Sequence, residues 1–222
     1  LVSNQRVHDR LRLYGVQASN IKITGFPLPI DNLGENDQIL KQDLGVRLSI
    51  LDPIKSFRNS HSELLKNFIS LPDEVDRPFT VTFAVGGAGA QRELGALILE
   101  KLSPMIKEKK IKLNLVAGSR KDVNAYFNEE IKRLDLLNHS HVQIVYHPQK
   151  MEYFRLFNLC LRSTDVLWTK PSELSFYAGL GLPIIMSEPV GSQEVFNRDW
   201  LLSIGAGLDS LSPKFVAEWL LD

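Results

Sequence analysis

The sequence has a single cysteine, Cys160, in 222 residues, so an intramolecular disulfide is excluded. This fits a reducing compartment, and we expect a cytoplasmic protein. No run of apolar residues approaches the roughly 18–20 that a membrane helix needs, and we expect neither a transmembrane segment nor a signal peptide. Any membrane contact is therefore expected to be peripheral and made by the full-length protein.

A charge excess of one sign is also lacking. Lys and Arg together number 26, as do Asp and Glu, so the formal net charge is zero. Proteins that bind nucleic acid usually carry a basic excess, and we expect no nucleic-acid partner. We interpret the basic stretch Lys107–Lys112 as a solvated helix end. The apolar fraction of 44% is that of a globular domain, which excludes a disordered chain or a coiled coil.

Short apolar runs and amphipathic helical patterns alternate from Pro78 onward. The predicted strands are Phe79–Val85, Ile111–Ala117, Val142–Tyr146, Asp165–Trp168, Pro183–Met186 and Ala206–Leu208. A helix is predicted after each of them, and parallel neighbours need such crossover connections. The fold class is therefore α/β, a Rossmann-like three-layer parallel sheet with helices on both faces. In such sheets ligands bind beyond the carboxyl ends of the strands.

The chain divides into three predicted regions. Residues 1–25, with a helix at 4–14 and a strand at 21–23, are expected to end an N-terminal domain. Residues 26–60 are a linker with entry helices, including one around 36–44, and residues 61–222, beginning with a helix at about 60–70, form the Rossmann-like domain. Because the chain starts at Leu1 and stops within a predicted helix, we expect a piece of a longer protein.

The first candidate loop joins a strand directly to a helix. Its candidate ligand residues are Gly86, Gly87, Ala88, Gly89, Ala90 and Gln91. Small residues let backbone N–H groups approach an anion, and a helix N-terminus adds partial positive charge, so this loop predicts a diphosphate seat. The alternative is a tight turn with close helix–sheet packing. The loop is not a full dinucleotide motif, because Arg92 stands where the third glycine would be.

Two further loops follow predicted strands. Ser119 could line a ligand cleft, or it could cap the next helix with Asp122 completing a capping box. Tyr146 and His147 could form a wall beside a nucleobase, although a lone histidine is more often structural. These alternatives are left open by the residues alone.

The last two loops combine charges with helix starts. Lys170 is a cation suited to a phosphate, Ser172 is a good helix cap, and the Glu173 carboxylate could accept hydrogen bonds from a ribose diol. Gln193 and Glu194 could orient sugar hydroxyls, or they could simply belong to a capped first turn. No Asp-x-Asp motif or Cys/His set is visible, so we expect no metal ion.

Together these loops, with Gly179-Leu180-Gly181-Leu182-Pro183 and Asn197, resemble the C-terminal, donor-binding domain of GT-B glycosyltransferases. The most similar branch contains MurG and the monogalactosyldiacylglycerol synthases, and the resemblance spans about residues 20–210. It implies an inverting enzyme that transfers a hexose from a UDP-sugar to an acceptor, a lipid or a glycan. It also implies no separate cofactor and a catalytic base in the N-terminal domain, so this fragment alone is expected to be inactive.

Residue by residue, the resemblance assigns roles to the candidate loops. It implies that Gly86–Ala90 hold the diphosphate, that Lys170 precedes the ribose-binding helix, and that Gln193 and Glu194 hold the donor sugar. Backbone groups at Tyr146 and His147 fall where the family recognises uracil, and Gly25-Phe26-Pro27 matches the hinge between domains.

One departure concerns the ribose contact. The family carries a glutamate five residues before the glycine of Gly181-Leu182-Pro183, where this chain has Phe176, and Glu173 is the candidate replacement.

Three other functions remain open on the sequence. A non-hydrolysing nucleotide-sugar epimerase would share the fold, although Gln193-Glu194 favours a transferase. A non-catalytic nucleotide-binding subunit would need a separate acceptor-binding partner. A dinucleotide-binding domain is disfavoured because Gly118 and Ser119 stand where an acidic residue would end the second strand.

Overall fold

The strands form one parallel sheet in the computed structural model, which describes residues 1–85, 89 and 91–221. They are β1 (Phe79–Ala84), β2 (Ile111–Gly118), β3 (Val142–Tyr146), β4 (Val166–Thr169), β5 (Ile184–Met186) and β6 (Gly207–Asp209). Their order is β3-β2-β1-β4-β5-β6, and every neighbouring pair is parallel. Each of the six strands predicted from Pro78 onward lies within one residue of its observed bounds, which confirms the parallel α/β fold.

Helices precede the sheet in the chain and also cover both of its faces. Those before the sheet are α1 (Gln5–Leu13), α2 (Ile30–Leu33), α3 (Gln38–Leu51) and α4 (Ser56–Leu65). Those that follow β1 are α5 (Arg92–Lys107), α6 (Lys121–Arg133), α7 (Lys150–Arg162), α8 (Leu174–Gly179), α9 (Ser192–Ser203) and α10 (Val216–Trp219). Buried side chains of α5, α6 and α10 form the core on one face, and those of α7, α8 and α9 form the core on the other. The predicted three-layer arrangement is therefore confirmed.

The region before the sheet departs from the predicted element bounds. The helix expected at 36–44 continues to Leu51, and the helix expected at about 60–70 is Ser56–Leu65. It starts early because the Asp52 carboxylate accepts the N–H groups of Phe57 and Arg58, at 3.1 and 2.8 Å, and so satisfies its first turn.

The strand expected at residues 21–23 is reduced to a single parallel bridge between Val2 and Ile23. Around it, the Val2 N–H donates to the Lys22 carbonyl and the Thr24 N–H donates to the Val2 carbonyl, both at 2.9 Å. Residues 2–24 are thus joined at their two ends by one bridged pair, with helix α1 between them.

A buried arginine fixes α3 against the ends of two other helices. The Arg47 side chain donates to four carbonyl oxygens at the C-terminal ends of two helices, at 2.8–3.3 Å. These carbonyls belong to Leu161 and Thr164 at the end of α7, and to Leu180 and Gly181 just after α8. Burial lowers the pKa of Arg47 to about 10, which leaves it charged at neutral pH. The guanidinium satisfies carbonyls that a helix leaves unpaired at its C-terminus.

Candidate functional site

The strand order creates a crevice beside the ends of β1 and β4. The chain leaves β1 toward β2 on one side, and β4 lies on the other side, with Ala84 and Thr169 as register partners at their carboxyl ends. In a doubly wound sheet, ligands bind outside the carboxyl ends of the strands at this change of direction. The loops that follow β1, β2, β4 and β5 are therefore the place to look for a site.

The predicted diphosphate loop follows β1. Gly86, Gly87, Ala88 and Ala90 lie outside the described residues, so the predicted seat stays a prediction there. Gly89 has φ +76°, and a Cβ added to it would lie 3.1 Å from Val123 and 3.4 Å from Nε of Arg120. Gln91 has φ 69° at the start of α5, and its Nε2 donates to the Glu188 carbonyl at 3.4 Å. The Gln91 hydrogen bond joins the start of α5 to the loop after β5, and Gly89 lies close to Val123 and Arg120, which follow β2.

Ser119 does not cap the helix that follows β2. Helix α6 begins at Lys121 with Arg120 as its capping residue, and no side chain makes the cap hydrogen bond. The predicted capping box fails because the Asp122 carboxylate receives Nε and Nη2 of Arg120, both at 3.1 Å. Hydrogen bonds from Arg120 lower the pKa of Asp122. Ser119 and Arg120 instead line the crevice, where Arg120 is a cation that the sequence analysis did not single out.

The loop after β3 is used mainly within its own turn. The His147 N–H donates to the Gly118 carbonyl at 3.2 Å, and its Nδ1 accepts the Gln149 N–H at 3.1 Å. Tyr146 packs against the core under α5 and α6. Neither Tyr146 nor His147 is among the described residues that line the crevice.

Lys170 and Glu194 come together from two different loops. Nζ of Lys170 donates to Oε1 of Glu194 at 2.6 Å, and Oε2 of Glu194 accepts the Val190 N–H at 2.8 Å. Burial alone would raise the pKa of Glu194, but the hydrogen bonds from Lys170 and from the Val190 backbone lower it below its ordinary value. The Glu194 carboxylate is thus ionised at neutral pH.

A second contact binds the same loops together. Nδ2 of Asn197 in α9 donates to the carbonyls of Pro171 and Ser172, at 3.0 and 3.2 Å. Ser172 does not cap α8, because Glu173 occupies the capping position and makes no cap hydrogen bond. Gln193 is exposed in the first turn of α9. The structure thus brings Lys170, Glu194 and Asn197 together through an ion pair and hydrogen bonds between the loop after β4 and helix α9.

Glu173 is an exposed carboxylate held by a tyrosine beneath it. The hydroxyl of Tyr177 donates to Oε2 of Glu173 at 3.3 Å, and the Tyr177 ring is buried. Burial, and secondly the Glu173 charge, raise the pKa of Tyr177, so this hydroxyl stays a donor at neutral pH. The contact leaves most of the carboxylate free to face a ligand.

The crevice has a volume of about 1040 Å³ and an aromatic wall. The aromatic residues that line it are Phe26, Tyr153, Phe154, Phe157, Phe176 and Tyr177. Tyr153 and Phe157 stack with centroids 5.7 Å apart, whereas Phe154 is 42% exposed and Phe26 is 50% exposed. Such a wall suits a planar ring, and Glu173 and Arg120 supply charges of opposite sign at its edges.

One face of α7 supplies both core and crevice residues. Met151, Phe154 and Phe157 are spaced to fall on one face of this helix. Only Phe157 is buried, while Met151 is 75% exposed and lines the crevice. The helical period identifies a shared face, but it does not show how deeply each residue of that face is buried.

Neither a metal-binding cluster nor a membrane-spanning helix is found in the part of the chain that the structure describes. Among residues 1–85, 89 and 91–221, no group of three or more His, Cys, Asp or Glu side chains could hold a metal ion. Within the same ranges, none of the helices combines the length and the apolar character needed to cross a bilayer.

Two solved structures are similar to the chain over nearly all of its length. The S. aureus MnaA–UDP co-structure shares 11% sequence identity and a TM-score of 0.47, covering 98% of this chain and 49% of the other. A glycosyltransferase from Rickettsia africae ESF-5 shares 13% identity and a TM-score of 0.45, covering 96% of this chain and 50% of the other. The chain thus spans about half the length of the solved structures it matches.

A family model matches the chain, whereas no curated protein matches the sequence. A model of a family described as a domain of unknown function, DUF6938, matches residues 73–145 and 133–208, which together span more than half of the chain. These matches include the sheet from β1 to β6 and the crevice loops. The chain therefore belongs to this family, DUF6938.

Proposed function

We propose that this chain binds a nucleoside diphosphate sugar, with UDP as its nucleotide, and forms the donor-binding part of a glycosyltransferase. The observation that carries the proposal is the crevice of about 1040 Å³ at the change of strand direction, lined by aromatic rings, one exposed carboxylate and two cations, Arg120 and Lys150. A nucleotide combines a planar base, a diol and an anionic diphosphate, so its parts match these three kinds of group.

The base is proposed to lie against α7 and not against Tyr146 and His147. The exposed faces of Phe154 and Phe26 border the crevice, and Tyr153 continues the wall inward. Stacking on such a wall is worth about 1–3 kcal/mol for a base. Backbone groups at Gly118 and Ser119 are close enough to the crevice to supply polar contacts at the base edge.

The ribose is proposed to bind Glu173 and the diphosphate to lie toward the start of α5. The Glu173 carboxylate is exposed, and charged acceptors make the stronger hydrogen bonds to hydroxyl groups. Gly89, Arg120 and the N-terminus of α5 lie on the diphosphate side, where a helix end and a guanidinium both favour negative charge. Gln193, exposed in the first turn of α9, is proposed to contact the sugar.

The proposed reaction is transfer of a hexose with inversion. The bond between the sugar C1 and the diphosphate oxygen breaks as an acceptor oxygen bonds to C1, the acceptor proton passes to a base, and UDP leaves. We propose that the base and the binding site for a lipid or glycan acceptor lie in another part of the protein.

Isothermal titration with UDP, ADP and NAD tests the proposal. Wild type is expected to bind UDP in preference to ADP and NAD. Glu173→Gln is expected to weaken UDP binding roughly tenfold or more, because a hydrogen bond to a charged group contributes about 1.5–3 kcal/mol. Glu152→Gln is the matched control, since Glu152 is a partly exposed carboxylate of α7 that pairs with Arg155.

The outcomes separate the candidate functions. A UDP affinity that Glu173→Gln leaves unchanged would remove the ribose assignment. Binding of NAD or ADP in place of UDP would contradict the donor-site proposal as a whole. A panel of UDP-sugars would then identify the hexose.

A further inference from the structure

The ion pair between Lys170 and Glu194 lies beyond the carboxyl end of β4, the strand next to β1 in the sheet. Lys170 directly follows Thr169, whose register partner Ala84 ends β1. The side chains of the pair are 19% and 12% exposed, so both charges are largely shielded from water. A cation at this position would be suited to a diphosphate, yet it already has an anionic partner from its own chain.

Both oxygens of the Glu194 carboxylate already have a donor within the protein. Oε1 receives Nζ of Lys170 at 2.6 Å, and Oε2 receives the Val190 N–H at 2.8 Å. Asn197, one turn later in α9, ties the same helix to the carbonyls of Pro171 and Ser172. The carboxylate is thus fixed from two sides and oriented toward Lys170 and its own loop.

We infer that Glu194 is an internal counter-charge of Lys170, which positions this lysine and limits the affinity of the site for the diphosphate. The inference rests on the proposed function, and it replaces the role of donor-sugar ligand that the family resemblance implied for Glu194. The free side chain next to it, Gln193, is left as the candidate sugar contact.

Electrostatics gives the direction of the effect. A bound diphosphate and the Glu194 carboxylate are both anions that share the neighbourhood of one ammonium group. The loop that precedes Glu194 also touches the start of α5, where Nε2 of Gln91 donates to the Glu188 carbonyl. One unit charge about 3–4 Å from another changes affinity by roughly five- to tenfold even at the dielectric constant of bulk water.

Glu194→Gln removes this charge and keeps the shape of the side chain. The glutamine carbonyl can still accept Nζ of Lys170, so the ammonium group keeps its position while its charge is no longer neutralised. The variant is expected to bind UDP roughly five- to tenfold more tightly than wild type. The gain is expected to shrink as salt is raised, because salt screens interactions between charges.

Two controls isolate the local effect. Uridine has no phosphates, so Glu194→Gln is expected to leave its affinity unchanged. Glu188→Gln removes an exposed carboxylate of the same loop, and it is expected to change UDP affinity much less.

Titration of the full chain with UDP, a UDP-sugar and uridine decides the inference. The inference is supported if Glu194→Gln binds UDP more tightly than wild type and Glu188→Gln does not. Unchanged UDP affinity with weaker binding of the UDP-sugar would overturn it in favour of a sugar-ligand role, and so would an equal gain in Glu188→Gln. Absence of UDP binding in both wild type and Glu194→Gln would overturn the proposed function and the inference with it.

Discussion

Replacing Arg47 by Met is expected to cost this fold a large part of its stability. Arg47 is 3% exposed, and its guanidinium donates to four carbonyl oxygens at the ends of α7 and α8. Methionine keeps much of the aliphatic stem but supplies no donor. The variant therefore leaves buried helix-end carbonyls unpaired without opening a large cavity.

The size of the effect follows from which groups lose their partners. The carbonyls of Thr164 and Leu180 lie 2.8 and 3.0 Å from Arg47 and make the closest contacts, and each unpaired buried group costs about 1–3 kcal/mol. The nearby carboxylates are spared, because Asp165 keeps Arg77 and Asp43 keeps Arg162. We therefore expect a loss of about 3–5 kcal/mol, as when one partner of a buried charged network is removed.

Equilibrium unfolding in urea, followed by tryptophan fluorescence, measures this loss. Arg155→Met is the control, because Arg155 is exposed and pairs only with Glu152 one turn earlier on α7 among the described residues. It is expected to unfold like wild type. A loss below about 1 kcal/mol for Arg47→Met would refute the argument that these carbonyls depend on the guanidinium, because a single unpaired carbonyl already costs about that much.

Three further predictions concern the helix packing, the ion pair and the thiol. Gly95→Ala in α5 is expected to destabilise by about 1 kcal/mol, because a Cβ would lie 2.7 Å from the buried Phe83 ring and overpacking outweighs the helix propensity gained; equal or higher stability in urea would contradict this. Glu194 is partly buried, but the Lys170 hydrogen bond lowers its pKa, so the pair stabilises the fold above the ordinary value of 4.5 and less as pH falls. The stability advantage of wild type over Glu194→Gln should therefore vanish in acid, and a constant difference from pH 7 to pH 3 would argue against it. Burial raises the pKa of Cys160, so alkylation should be slow in the native protein and fast in urea, and rapid native labelling would disprove that burial.

The strands could be predicted because each is a short apolar run between turn signals. Ile111–Ala117 was expected and Ile111–Gly118 is observed, and the central strands are buried on both faces. The order of the strands could not be predicted in the same way. It depends on pairings between distant segments, such as Val81 with Val166, which local periodicity does not encode.

The capping predictions failed for a shared physical reason. Ser119 and Ser172 are good capping residues by type, but a cap forms only where the backbone enters the helix at that residue. Helix α6 begins at Lys121, and the side chain of Arg120 pairs with Asp122. Helix α8 has Glu173 at its capping position. Competition from neighbouring side chains and the path of the loop decide such contacts, and neither is visible in residue type alone.

The charges at the two edges of the sheet are arranged differently, and this difference favours the carboxyl edge as the place of function. At the amino edge, Asp165 is fully buried and accepts both Nη1 and Nη2 of Arg77 at 2.7 Å and the Thr80 N–H at 2.8 Å. Its hydrogen-bonding capacity is largely used inside the protein, which is what a structural ion pair requires. At the carboxyl edge, Glu173 is exposed with one internal donor, and the ammonium group of Lys170 donates only to Glu194 among the described residues. Unused hydrogen-bonding capacity beside an aromatic crevice is what a polar, ring-bearing ligand needs.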